Sequence, residues 1–191
     1  MTQNAKMLAR TALLAALTAV GAFIKIPLGV SSITLQFFFT AMAGCLLGPV
    51  WGAASQGVYV LLGVVGLPIF TMGGGFSYVL QPTFGFLLGL IPSALIIGLL
   101  TKKSRKPVRI VLSCVAGLAA LYAVGLPYMA LILNVYMDKG LDFWAVLKSG
   151  MLPFLPGDAL KIAVAAVLFP KLSVLFDKKK INPPANNWIN S

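Results

Sequence analysis

Residues 78–100 read YVLQPTFGFLLGLIPSALIIGLL, and residues 101–109 read TKKSRKPVR. The first stretch carries no charge, and about 20 apolar residues are enough for a helix to cross the hydrocarbon of a bilayer. The second holds five cations, Lys102, Lys103, Arg105, Lys106 and Arg109. An apolar run closed by a basic cluster is the pattern of a membrane helix ending on the cytoplasmic side.

The rest of the chain repeats that pattern. Of its 191 residues 59% are apolar and 10% are charged, against about 25% charged in ordinary soluble domains. The mean hydropathy is +0.95. A chain of this size cannot bury so much apolar surface in a water-soluble core, and it is far too apolar to be disordered. Read with the span length above, it has six apolar segments, at about 7–23, 35–47, 51–65, 78–100, 108–135 and 158–176. The fold class expected is an all-α membrane protein of six transmembrane helices with N- and C-termini cytoplasmic. Residues 1–180 form one membrane domain, and residues 181–191 are expected to be a mobile tail. With both ends inside, eleven of the fifteen Lys and Arg lie on the cytoplasmic side. Lys25, Lys139 and Lys148 lie outside, and Lys161 lies within the membrane. The first segment reads as a retained helix rather than a cleaved leader, because Phe23, Ile24 and Ile26 continue the apolar run without a polar cleavage region.

Composition excludes several activities. There is no His and no Glu, which removes the usual general base, the commonest metal ligand and every paired-Glu mechanism. The net charge of +11 sits in clusters beside apolar runs, so it argues for membrane topology and against nucleic acid. No GxxxxGK[ST] loop occurs. Cys45 and Cys114 lack metal or CxxC spacing and read as buried thiols. The chain is expected to be neither an enzyme nor a holder of any cofactor or metal.

Asp158 and Lys161 are the exception to the apolar pattern. Ionisable residues inside a span are costly and usually mark a pathway or a ligand. At i and i+3 they share a helix face. They either neutralise each other or offer an acceptor and a donor to a small polar ligand. Pro156-Gly157-Asp158 is read as the opening of the last helix, with Asp158 as its cap. Gln56 and Tyr59 also share a face. Gln81 and Asn134 sit near the outer ends of their helices, and Gly73-Gly74 break the chain at membrane depth, where irregular backbone lines a cavity. All fall in the outer half, with Asp158. Ala12 and Ala16, four apart on the first helix, allow close approach of another helix. That helix belongs either to this bundle or to a partner.

The ordered set of small-residue and proline motifs then brings a family into view. Ala12-x-x-x-Ala16 is followed by Gly44-x-x-x-Gly48-Pro49 with Gly52, and by Leu62-Gly63-x-x-Gly66-Leu-Pro68-Ile-Phe70. After these come Gly73-Gly74-Gly75, Gln81-Pro82-x-x-Gly85-Phe86 and Pro156-Gly157-Asp158-x-x-Lys161. From about residue 9 to 176 the chain resembles the biotin-specific substrate-binding subunits, or S components, of energy-coupling factor transporters, the BioY family. The resemblance implies a six-helix bundle in the plasma membrane of a prokaryote that holds biotin near its outer face. It also implies a membrane coupling protein and two cytoplasmic ATPase subunits as partners. Asp158 and Lys161 would match the family's polar pair, with Gln56, Tyr59, Gly73, Gly74, Gln81 and Asn134 as further candidates for the site. Ala12 and Ala16 would dock the coupling protein, and the loops after the first and third helices would cover the vitamin. The alternative class is a stand-alone secondary transporter or channel for a small polar solute, with Asp158 as a proton-coupled site.

Overall fold

The computed structural model describes residues 3–28, 31–102 and 106–176. Lys103 and Arg105, Lys178, Lys179 and Lys180, and the tail from 181 onward lie outside the described residues. Seven α-helices and one hairpin follow in order: α1 (Gln3–Phe23), β1 (Lys25–Leu28), β2 (Ser31–Thr34), α2 (Gln36–Leu47), α3 (Pro49–Val65), α4 (Phe84–Thr101), α5 (Pro107–Leu131), α6 (Phe143–Gly150) and α7 (Leu155–Phe176). A 3-10 turn, Phe76–Leu80, precedes α4, and a π turn, Ile132–Tyr136, ends α5.

The long apolar runs become long helices. Among the described residues three helical stretches can cross a membrane by length and hydropathy, Asn4–Phe23, Phe84–Thr101 and Pro107–Tyr136, and α6 with α7 makes a fourth if the 45° bend between them is counted as one span. The other two expected spans are shorter. Helix α2 has 12 residues, about 18 Å at roughly 1.5 Å per residue, and α3 has 17, about 26 Å on the same rise. The hydrocarbon core is about 30 Å thick. The layer beyond the N-terminal end of α2 is instead built from the hairpin, whose strands pair antiparallel from Lys25↔Thr34 to Leu28↔Ser31. This two-stranded sheet is an addition to the all-α expectation.

Glycines let the short helices pack. Gly48, at φ +83°, turns α2 directly into α3. A Cβ on Gly44 would meet Ala94 O at 2.6 Å, one on Gly52 would meet Gly44 Cα at 2.9 Å, and one on Gly98 would meet Pro49 N at 2.5 Å. Helices α2, α3 and α4 thus touch backbone to backbone, which is the use of small residues in membrane bundles.

Three boundaries differ from the sequence reading, each for a local reason. The fourth helix starts at Phe84 rather than near Tyr78, because Gln81 is extended (φ −80°, ψ 136°) ahead of Pro82, as a residue before proline prefers. Pro127 does not interrupt the fifth helix. It lies inside α5, which runs on past it to Leu131. The last helix begins at Leu155, with Pro156 and Gly157 in its first turn. Asp158 N–H already bonds Phe154 O at 2.9 Å, so Asp158 lies within the helix and does not cap it.

Candidate functional site

A cavity opens at the N-terminal ends of α2, α4 and α7, beside the C-terminal half of α5, roofed by the hairpin and the loop after α3. Its empty volume, counted out through the open mouth and including space open to solvent, is about 760 Å³. Ser32 and Thr34 come from β2, Gln36 and Phe37 from α2, and Thr71 and Met72 from the loop. Tyr78, Thr83, Phe86, Leu87 and Leu90 form one wall, Leu121 and Tyr122 another. Gly150, Phe154, Asp158 and Lys161 complete it from α6 and α7.

Its polar centre is a triad. Lys161 Nζ donates to Asp158 Oδ1 at 2.7 Å, and Tyr122 O–H donates to Asp158 Oδ2 at 2.6 Å. Asp158 is 5% and Lys161 8% exposed. Burying two charges is tolerable because they are paired and hydrogen-bonded. The triad is nevertheless unsaturated. An ammonium has three donors and each carboxylate oxygen has two acceptor sites. Among the described residues Lys161 uses one donor and each Asp158 oxygen one site, which leaves both kinds of group available on a cavity wall. Phe86 packs edge-on against Tyr122, with ring centroids 6.1 Å apart, and holds the phenol toward the carboxylate.

The opposite wall is a hydrogen-bonded chain. Thr34 O–H donates to Gln36 Oε1 at 2.9 Å, Gln36 Nε2 donates to Tyr59 Oη at 2.8 Å, and Tyr59 O–H donates to Ile69 O at 3.2 Å. Thr71 and Tyr78 share a hydroxyl–hydroxyl bond of 2.9 Å. Lys25 Nζ donates to Thr71 O, joining the hairpin to the loop.

The sequence candidates separate into two groups. Asp158 and Lys161 face the cavity. Gln56, fully buried, does not reach it. Its Oε1 accepts from Thr40 O–H at 2.9 Å, and its Nε2 donates to Ser55 Oγ at 3.0 Å and Thr18 Oγ1 at 3.3 Å, tying α1, α2 and α3 together. Tyr59 stands behind Gln36 rather than on the wall. Gly73, at φ +112°, pairs with Phe70. A Cβ on Gly74 would lie 2.0 Å from Leu67 O. These two glycines shape the loop that presents Thr71 and Met72. The Gln81 backbone links the 3-10 turn to α4. Asn134 bonds the Leu141 backbone in both directions, at 2.8 and 2.7 Å, away from the cavity. Ala12 and Ala16 are exposed on α1, whereas Leu14, Ala15 and Thr18 face inward.

Ser32, Thr34, Gln36, Thr71, Tyr78, Thr83 and Tyr122 are polar lining residues that sequence reasoning did not select for the site. Tyr122, Gln36 and Tyr78 stand out as polar groups at membrane depth, which is the only signal they give. Their convergence is a property of the tertiary fold.

Comparisons with known proteins give the family and the fold. A model of the BioY family matches residues 1–178. The chain is 42% identical to a probable biotin transporter BioY of Lysinibacillus sphaericus over 176 residues, covering 91% of this chain and 90% of that one. It is 37% identical to the biotin transporter BioY of Thermotoga maritima over 171 residues, covering 89% and 97%. Its fold is similar to the crystal structure of the S-component for biotin from an ECF-type ABC transporter. The TM-score is 0.78 at 28% identity, over 90% of this chain and 94% of that one.

Proposed function

The chain belongs to the BioY family, and from that premise we propose that it is the biotin-binding membrane subunit of an energy-coupling factor importer and takes biotin in the cavity above Asp158 and Lys161. It is a multi-pass membrane protein and a transporter subunit, not an enzyme. The observation that carries the assignment of the site is the unsaturated triad: a buried cation and a buried carboxylate, both with bonding capacity left, on the wall of a cavity that has apolar and polar sides.

Biotin has matching groups. Its two ureido N–H groups can donate to Asp158. Its ureido oxygen or its carboxylate can accept from Lys161. The thiophane ring and valeryl chain suit walls of Phe, Leu and Tyr. The polar wall of Thr34, Gln36 and Ser32 is there for the end of the molecule that does not meet the triad. Because Lys161 already balances the charge of Asp158, the pair is better suited to holding a polar ligand than to carrying a proton alone. This argues against Asp158 as a lone proton-coupled site.

The remaining features of the reading follow from the same premise. The chain forms one six-pass domain in the plasma membrane of a prokaryote, with both ends cytoplasmic. The basic residues on the cytoplasmic side support that orientation. Exposed Ala12 and Ala16 on α1 form the face for a membrane coupling protein, and two ATPase subunits supply the energy. The test is to purify the full chain from cells grown with biotin and identify by mass spectrometry what copurifies. Biotin at one molecule per chain is expected. A different small molecule, retained in its place, would overturn the ligand assignment.

A further inference from the structure

A second concavity, about 710 Å³ out to its open side, lies between the outer part of α5 and the short helix α6. Leu126, Pro127 and Ala130 form its α5 wall, and Phe143, Val146 and Leu147 its α6 wall. The i, i+3, i+4 spacing of the last three puts them on one helix face. The single polar side chain in the lining, Asn134, has its amide committed at both ends to the backbone of Leu141, which also lines the groove. The walls therefore offer an occupant only dispersion and exclusion from water.

The surroundings indicate where the occupant comes from. Phe143 and Trp144 are 71% and 63% exposed and stack edge-to-face at 6.0 Å. Tyr136, at the end of the π turn, is also exposed. Exposed aromatic rings at the end of a membrane helix are the mark of the headgroup level. Helix α6 has an apolar face toward α5, while its cap Asp142 accepts from Ala145 N–H at 2.8 Å and Lys148 is exposed in its last turn. Trp144 and Lys148, four apart, share a flank of the helix. Helix α6 is bent 45° from α7, so it runs obliquely, with its aromatic and charged groups gathered at one end of the bundle. The charges around it, Asp138, Lys139, Asp142 and Lys148, balance.

We propose that the groove between α5 and α6 is a lipid site that holds one acyl chain of a membrane glycerophospholipid, with its headgroup beside Trp144 and Lys148. The balanced charges give it no preference between zwitterionic and anionic headgroups. A partner helix or a second copy of this chain would need the aromatic rim to be covered as well, and these are outcomes the test separates.

The test uses the full chain in nanodiscs of phosphatidylcholine containing a phosphatidylcholine probe with a diazirine in one acyl chain. The protein is extracted into detergent, passed over a sizing column to strip loose lipid, then irradiated, and the adduct is mapped by mass spectrometry. Retained probe cross-linked within residues 126–147 is expected, and equally so when phosphatidylglycerol is the probe. Ala130→Phe, or Leu147→Phe from the opposite wall, should lower the yield at least about tenfold, since displacing two buried methylenes suffices for a decade in affinity. No retained probe on the wild-type chain, or adducts confined to other helices, would overturn the proposal whatever the variants do. So would a dimer or a coupling-protein contact mapped by protein–protein cross-links to the same residues.

Discussion

Replacing Lys161 with Met keeps most of the side-chain volume and removes the cation. Asp158 is then left 5% exposed with the Tyr122 hydroxyl, at 2.6 Å, as its remaining partner. Breaking a buried pair from one side costs about 3–5 kcal/mol of stability. Losing one charge-assisted hydrogen bond to the ligand costs about 1.5–3 kcal/mol, or roughly ten- to hundred-fold in affinity. Asp158→Asn should behave alike, since it strands the ammonium. The double variant Asp158→Asn with Lys161→Met separates the two effects. It leaves no uncompensated charge, so thermal stability should return most of the way to wild type. Biotin affinity should stay low, because neither the anionic acceptor nor the cationic donor is present. Thermal melting and isothermal titration with biotin, run on all four proteins, complete the cycle. If the pair serves only to neutralise itself, affinity follows stability and the double variant binds like wild type. That result would refute the assignment of the triad as a ligand site.

Three further outcomes are expected. Gln56→Leu should lower stability by about 1–3 kcal/mol through the lost buried hydrogen bonds, seen as a lower melting temperature, while biotin affinity holds because Gln56 does not reach the cavity. Met72→Cys, 69% exposed on the loop above the cavity, should label with impermeant thiol reagents in intact cells, and Lys103→Cys should not; the reverse would overturn the topology. Ala12→Trp with Ala16→Trp should leave biotin binding in detergent intact and abolish uptake in cells holding the partner subunits. Uptake that survives would remove this face of α1 from the coupling mechanism.

Much of the architecture is legible in the chain because a bilayer imposes one length on its helices. Residues 84–101 and 107–136 are apolar for long enough that no other reading competes. The signal fails where a span is short. Helix α2 depends on a hairpin to extend its layer, and residues 25–34, with Ile26 and Ile33 on opposing strands, are too few for the two-residue period to declare itself. Helix α6 had a readable start in Asp142 and an apolar stripe at Phe143, Val146 and Leu147, yet at 8 residues it falls below any span threshold. At the site, Asp158 and Lys161 stand out because charge in an apolar run is conspicuous. Tyr122 does not, because its bond to Asp158 joins residues 36 apart in sequence. Gln56 and Tyr59 do share a helix face, as their spacing requires. Periodicity gives the face but not what lies opposite, and here that is Thr40 and Gln36 rather than the ligand.

The most direct measurement is a calorimetric titration of biotin into the purified chain alone, without coupling protein, ATPases or ATP. Saturable binding at one biotin per chain is predicted, lost by at least about tenfold when a charged hydrogen bond of the triad is removed. Absence of binding by the well-folded chain, or binding that the Lys161→Met and Asp158→Asn variants keep unchanged, would contradict the account.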